Sequence, residues 1–188
     1  MKKYTTKPID FTVLQTTLKH AEDLISLQRE LESLRNSDEI KLSYVIGKNS
    51  KMEQVFRDAS RAAKAGASVL IYGETGVGKE ILAKYIHKNG SRSNKPLVAI
   101  NCAALQPTGL ESELFGHEAG AFTGAIQKTQ GLIEVADGGI LFLDEISSMS
   151  MDMQSKILRA IEEKRIRRVG GTKEIPVDVQ IIAATNKD

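Results

Sequence analysis

Only one cysteine occurs in these 188 residues, Cys102, so an intramolecular disulfide framework is excluded and the chain suits a reducing compartment. It closes an apolar run and reads as a small buried residue at a strand end. Histidine is nearly as scarce. His20, His87 and His117 share no ligand spacing with Cys102, which argues against a zinc site. Charge almost cancels: 26 Lys and Arg against 24 Asp and Glu leave +2, too little to imply nucleic-acid binding through bulk electrostatics. No apolar run approaches the ~18 residues a membrane span needs, and the opening Met1-Lys2-Lys3-Tyr4-Thr5 leads into no apolar signal segment. What remains, 41% hydrophobic and 27% charged, is the composition of a soluble globular protein with one core-bearing domain and an appendage.

The appendage comes first. Leu14, Leu18, Ala21, Leu24, Ile25, Leu27, Leu31 and Leu34 recur at three- and four-residue steps, a helical pattern over 14–39. Leu24, Leu27, Leu31 and Leu34 fit successive a and d positions, with Gln28, Arg29, Glu30 and Glu32 solvating the rest. Two readings stay open here: a short coiled coil, or one amphipathic helix lying on a neighbouring domain. Asn36-Ser37-Asp38-Glu39 is a polar hinge, and the domain boundary falls near residue 40. Beyond it strands and helices alternate, as in an α/β fold.

The chemistry sits in that second part. Ser68-Val69-Leu70-Ile71-Tyr72 predicts a buried strand that stops at Gly73. Glu74, Thr75, Gly76, Val77, Gly78 and Lys79 follow, and Glu80 to Ile86 continue as a helix. Strand, glycine-rich loop and helix N-terminus form a phosphate cradle in which backbone N–H groups and the helix dipole meet the anion and Lys79 reaches the outer phosphates. Position 80 departs from the general pattern, which places Ser or Thr there for magnesium. Glu80 has no hydroxyl, and its carboxylate would repel phosphate if it pointed inward.

Ile140-Leu141-Phe142-Leu143 predicts a strand buried on both faces of a parallel sheet. Asp144 and Glu145 end it, at the sheet edge where ligands of open α/β sheets bind. This makes Asp144 the candidate for organising magnesium and Glu145 the candidate base for the attacking water. Asn101 ends Leu97-Val98-Ala99-Ile100, and Asn186 ends the run Val179 to Thr185. Sequence physics alone makes both of them polar groups at strand ends near one crevice, and as isolated residues each reads as a turn former. Gly120-Ala121-Phe122-Thr123-Gly124-Ala125 reads as a mobile loop of small residues with one apolar contact point, Phe122, at its tip.

These motifs, in this order, resemble the AAA+ ATPase domain of bacterial enhancer-binding proteins, the NtrC family of sigma-54-dependent activators. The likeness covers residues 40–188, and the family shares the Gly78-Lys79-Glu80 departure. It implies an α/β P-loop subdomain with a mainly parallel sheet, helices on both faces and the P-loop after the first core strand. ATP and Mg2+ are its implied ligands. Asn101 then corresponds to the family's switch asparagine, hydrogen-bonded to the catalytic glutamate, and Asn186 to the sensor of the γ-phosphate. Ile46 and Gly47, ahead of the helical segment from Met52 to Ala63, match the lining of the adenine pocket, although plain core packing fits the same residues. The 120–125 loop corresponds to the loop that touches sigma-54, its height set by the nucleotide. Arg165 to Gly171 matches a second pore loop that moves with it, although a solvated basic turn fits the same residues.

The first residues bear a second resemblance, to the tail of a response-regulator receiver domain, where a Lys-Pro pair such as Lys7-Pro8 ends the last strand. This divides the chain into a receiver remnant (1–13), a linker helix (14–39) and the AAA+ domain (40–188), within a two-component system of the cytoplasm. Implied partners are the sigma-54 RNA polymerase holoenzyme and further copies of the chain, as a dimer through the linker or a hexameric ring. The family's arginine fingers, helical lid and DNA-binding domain lie beyond the counterpart of Asp188, so DNA contact would require a domain these residues lack. The expectation is therefore weak ATP binding and negligible unaided hydrolysis. A non-catalytic module that pairs with full-length activators through its leucine-rich helix is the rival reading. A helicase loader or unfoldase is opposed by the 120–125 loop.

Overall fold

The computed structural model describes residues 50–187, so the helical pattern of 14–39, the Lys7-Pro8 pair, Ile46 and Gly47 lie outside the described residues. Four parallel strands form the central sheet: β1 (Val69–Tyr72), β2 (Leu97–Asn101), β5 (Ile140–Asp144) and β8 (Gln180–Thr185), in the spatial order β1-β8-β5-β2. The alternation of side chains along a strand divides the core in two. Ile140 and Phe142 of β5, with Ile182 and Ala184 of β8, face one layer. Leu141, Leu143, Ile181 and Ala183 face the other. Both strands are buried along their apolar length, which is why each reads as an uninterrupted apolar run.

The first layer is α1 (Ser50–Ala65) and α2 (Lys79–Lys88). Phe56, Ala59 and Ala63 bury the apolar stripe of α1, and Ala83 and Ile86 that of α2. Phe56 meets Tyr85 edge to face at 4.7 Å, and the Tyr85 hydroxyl lies 2.8 Å from Ser60 Oγ, fixing the two helices together. The opposite layer is α3 (Pro107–Phe115), the short α4 (Leu132–Val135) and α5 (Met151–Glu163), whose buried Leu110, Leu114, Ile133, Met153 and Ile157 close the second core. Proline at its first position suits α3, and Ser150 Oγ caps α5 by accepting the Met153 N–H at 3.3 Å.

Helices on both faces of a parallel sheet, with the glycine-rich loop after its first strand, meet the expectation. One detail corrects it: β1 is only half buried, with Leu70 and Tyr72 65% and 59% exposed, because it is an edge strand among the described residues. Two short hairpins extend from the sheet. One pairs β3 (Gly116–His117) with β4 (Thr129–Gln130), the other β6 (Arg165–Ile166) with β7 (Ile175–Pro176). At the end of the sheet remote from Asp144, Arg92 donates to the carbonyls of Gly139 and Asp178 and pairs with the Asp178 carboxylate at 2.9 Å. Lys164, and then Arg92, hold that carboxyl below the usual carboxylate range. Among the described residues no helix is long and apolar enough to cross a membrane.

Candidate functional site

Parallel strands bring their C-terminal ends to one edge, and Lys79, Asn101, Asp144, Glu145 and Asn186 follow or end those strands there. Register sets the neighbours. Tyr72 pairs with Thr185, so Gly73 begins beside Asn186, and Asn101 pairs directly with Asp144. The strand after which each residue falls thus decides its place, however far apart the residues lie along the chain.

The loop from Gly73 to Lys79 turns sharply into α2. Gly76 and Gly78 adopt φ of 82° and 95°, left-handed conformations that a side chain would strain. Lys79 is 8% exposed, and its Nζ donates to the carbonyls of Gly73 (2.9 Å) and Glu74 (3.1 Å), with Glu145 Oε1 at 3.9 Å. A buried ammonium is thereby satisfied at the mouth of the loop, beside a helix N-terminus that also favours an anion. The Glu80 carboxylate pairs with Lys84 at 3.0 Å on the outer face of α2, so it is turned away from the cradle and leaves only its backbone in the first turn. Asn186 reaches the loop from β8, donating from Nδ2 to Thr75 Oγ1 at 3.3 Å.

At the end of β5, Asp144 Oδ1 accepts the Glu145 N–H at 3.0 Å. Glu145 has φ 53°, a left-handed turn that few non-glycine residues adopt and that starts the short 3-10 helix Ile146–Ser148. Asn101 comes to the same edge, but its amide oxygen accepts the Ala103 N–H at 2.8 Å. No hydrogen bond joins it to Glu145, which departs from the expected switch contact: a local Asx turn satisfies the side chain first. Cys102 is buried behind this edge, and burial, with Asp144 second, pushes its thiol up to about 12. It is an inert packing residue, as its sequence position indicates.

The 120–125 loop is the tip of the β3–β4 hairpin. It is closed on itself by Gly120 N–H to Ala125 O (2.8 Å) and Ala125 N–H to Phe122 O (3.0 Å), and Ala125 is buried. Phe122 is the one aromatic side chain within the hexapeptide, and a further large apolar side chain follows that stretch directly. That ring is 46% exposed and rests on His117, whereas Ile126, just past the hexapeptide, is 87% exposed. The basic segment 165–171 is likewise more than a solvated turn. Ile166 is buried, and Val169 exchanges backbone hydrogen bonds with Gly116 and Glu118. Gly170, at φ 74°, approaches so closely that a Cβ there would lie 2.7 Å from Ala121 Cβ.

Sequence reasoning missed the residue that ties the 165–171 segment to α4 and to the β3–β4 hairpin, Arg168. Arg168 forms a fork with Glu134, Nε to Oε1 at 2.7 Å and Nη2 to Oε2 at 2.5 Å, and also binds Glu118 at 3.0 Å. The Arg168 and Glu134 side chains are only 9% and 8% exposed. Glu134, and then Glu118, raise the affinity of Arg168 for its proton, and Arg168 holds the Glu118 carboxyl below its ordinary range. Arg168→Ala strands the shielded Glu134 carboxylate, a loss on the order of 2 kcal/mol. Thermal melting should show it as a fall of roughly 4–8 °C for a domain of this size, and Arg168→Lys should not restore it, since an ammonium cannot form the fork.

The family model for the Sigma-54 interaction domain matches residues 45–188. The transcriptional regulatory protein ZraR of Escherichia coli (strain K12) is 46% identical over 186 residues, 98% of this chain and 41% of that protein. FlbD of Caulobacter vibrioides is 49% identical over 144 residues, covering 77% of this chain and 32% of its own length. Among solved structures, NtrX from Brucella abortus in complex with ADP superposes with a TM-score of 0.80 at 36% identity, over 97% of this chain and 37% of that one. Its complex with ATP gives 0.79 at 34% identity. The chain thus spans about two-fifths of the length of ZraR (41%).

Proposed function

The chain belongs to the sigma-54 activator family, carrying its AAA+ domain, and on that footing we propose that it couples ATP hydrolysis to remodelling of the sigma-54 RNA polymerase closed complex. The observation that carries this reading is the shared strand-end edge, where Lys79, Asp144, Glu145, Asn101 and Asn186 converge from four strands. In it the 73–79 loop cradles the phosphates by backbone N–H groups, with Lys79 leaving its loop carbonyls for the outer phosphates. Glu145 orients and deprotonates the attacking water. Asn101 is the switch that exchanges its Ala103 contact for Glu145, and Asn186, already on Thr75, reads the terminal phosphate. NtrX, crystallised with ADP and with ATP, lends support to nucleotide as the ligand.

Among the described residues no group of three or more His, Cys, Asp or Glu is placed to hold a metal by itself. A single carboxylate, Asp144, suits magnesium, which keeps much of its water and takes phosphate oxygens for the rest. When bound with nucleotide the ion would neutralise phosphate charge.

Residues 1–13, 14–39 and 40–188 are a receiver remnant, a linker and the AAA+ module in this reading, within a cytoplasmic two-component regulator that assembles as a ring. The ZraR match, over 98% of the chain, supports a common plan for the leading segment. The 120–125 loop meets sigma-54. Phe122→Ala in the full-length protein should therefore abolish sigma-54 binding and open-complex formation while ATP turnover persists. Transcription at the parental level in that variant would refute the assignment.

A further inference from the structure

His117 ends β3 and opens the loop that carries Phe122. Its backbone is fixed twice, opposite Thr129 of β4 and in a bridge to Val169. Its side chain is committed at two points as well. Nδ1 lies 2.8 Å from Ser112 Oγ on α3, and the ring meets the Phe122 ring with centroids 5.0 Å apart at 63°. Edge-to-face packing of this kind is a preferred aromatic geometry. Phe122, 46% exposed, projects from a loop whose neighbours are glycine, alanine and threonine, so within the hexapeptide there is no other ring against which it could rest.

We propose that His117 is a positioning residue for Phe122: hung from α3 through Ser112, its ring sets where the aromatic group of the loop stands. The consequence is mechanical. α3 starts at Pro107, on the connection that Asn101 opens by binding Ala103, so the ring of Phe122 has an anchor on that helix in addition to the loop's own closing bonds. Ser112 and His117 are five residues apart across the end of α3, so the imidazole is held from the helix while its backbone is held by the hairpin. The importance of this for remodelling rests on the reading of 120–125 as the sigma-54 contact, but the positioning itself is tested without sigma-54.

The chain has no tryptophan, so Phe122→Trp installs a single fluorescent reporter at the position in question. In that background acrylamide quenching and the emission maximum report how well the indole is covered, while thermal melting reports the fold separately. His117→Ala should raise the quenching constant and shift emission to the red, with the docked population falling on the order of two- to tenfold, the scale of one aromatic contact. His117→Phe, which keeps a ring but loses the bond to Ser112, should bring quenching most of the way back. Ser112→Ala should raise it by less than His117→Ala does. A merely structural role would lower the melting temperature without separating His117→Phe from His117→Ala in quenching. The proposal is overturned if His117→Ala leaves quenching at the parental value with its cooperative melt intact, or if His117→Phe fails to restore it. Should His117→Ala not fold, Ser112→Ala decides: unchanged quenching overturns the proposal, increased quenching supports it.

Discussion

Lys79→Ala should weaken binding of ATP to the chain by about 10- to 100-fold, the loss of one charge-assisted hydrogen bond to phosphate. The ammonium is already at the mouth of the loop, 8% exposed and held by the Gly73 and Glu74 carbonyls, so the parent spends little on ordering it when phosphate arrives. Truncation leaves two carbonyls that water can satisfy and removes the nearest cation to Glu145, which lies 3.9 Å away. The fold should therefore survive. Titration with a fluorescent ATP in magnesium, parent beside variant, measures the difference, and a cooperative melt in both shows that folding is not its cause. Equal affinity in the two proteins would mean that the glycine-rich loop does not cradle the phosphates.

Glu145→Gln, in the full-length protein, should lower ATP turnover by roughly 10²–10⁴-fold while leaving ATP binding in place. The amide has the shape of the carboxylate and can occupy the same left-handed turn at φ 53°, so the start of the Ile146–Ser148 helix is retained. What it lacks is basicity towards water. Asp144→Asn should behave differently, weakening magnesium-dependent binding as well as turnover, because Asp144 is the carboxylate suited to the ion. Steady-state turnover beside nucleotide titration separates the two. Turnover in Glu145→Gln within a few-fold of the parent would remove Glu145 from the role of base.

The sheet and the glycine-rich turn after β1 were legible because each rests on local pattern. Ile140 to Leu143 form an unbroken apolar run since β5 is buried on both faces, and Gly76 and Gly78 stand where the backbone turns left-handed. The half-exposure of β1 was not legible, because Val69 to Tyr72 spell the same apolar run as an interior strand and only the strand order places them at an edge. At Asn101 the turn-forming character of the residue was legible, and the local bond from Ala103 stands in place of the Glu145 contact that the resemblance implies. The Arg168 fork spans 34 residues to Glu134 and 50 to Glu118, and no spacing rule joins positions so far apart. Glu80 is the reverse case. Its pairing with Lys84 is a simple four-residue helical step, readable once the helix is granted, and it removes the objection that the carboxylate would face phosphate. Ile126 passed unnoticed because the motif ends one residue before it.

Coupling between nucleotide and loop is the core of the account, and it is a difference in affinity between two states. The direct measurement is the dissociation constant of purified sigma-54 for the full-length Glu145→Gln protein, once saturated with ATP and once with ADP. The affinities should differ by roughly 5- to 150-fold in favour of ATP, the usual range of coupling between two sites, and the difference should vanish in Phe122→Ala. Equal affinity in the two nucleotide states would contradict it, since a nucleotide that does not change the contact cannot drive remodelling through it.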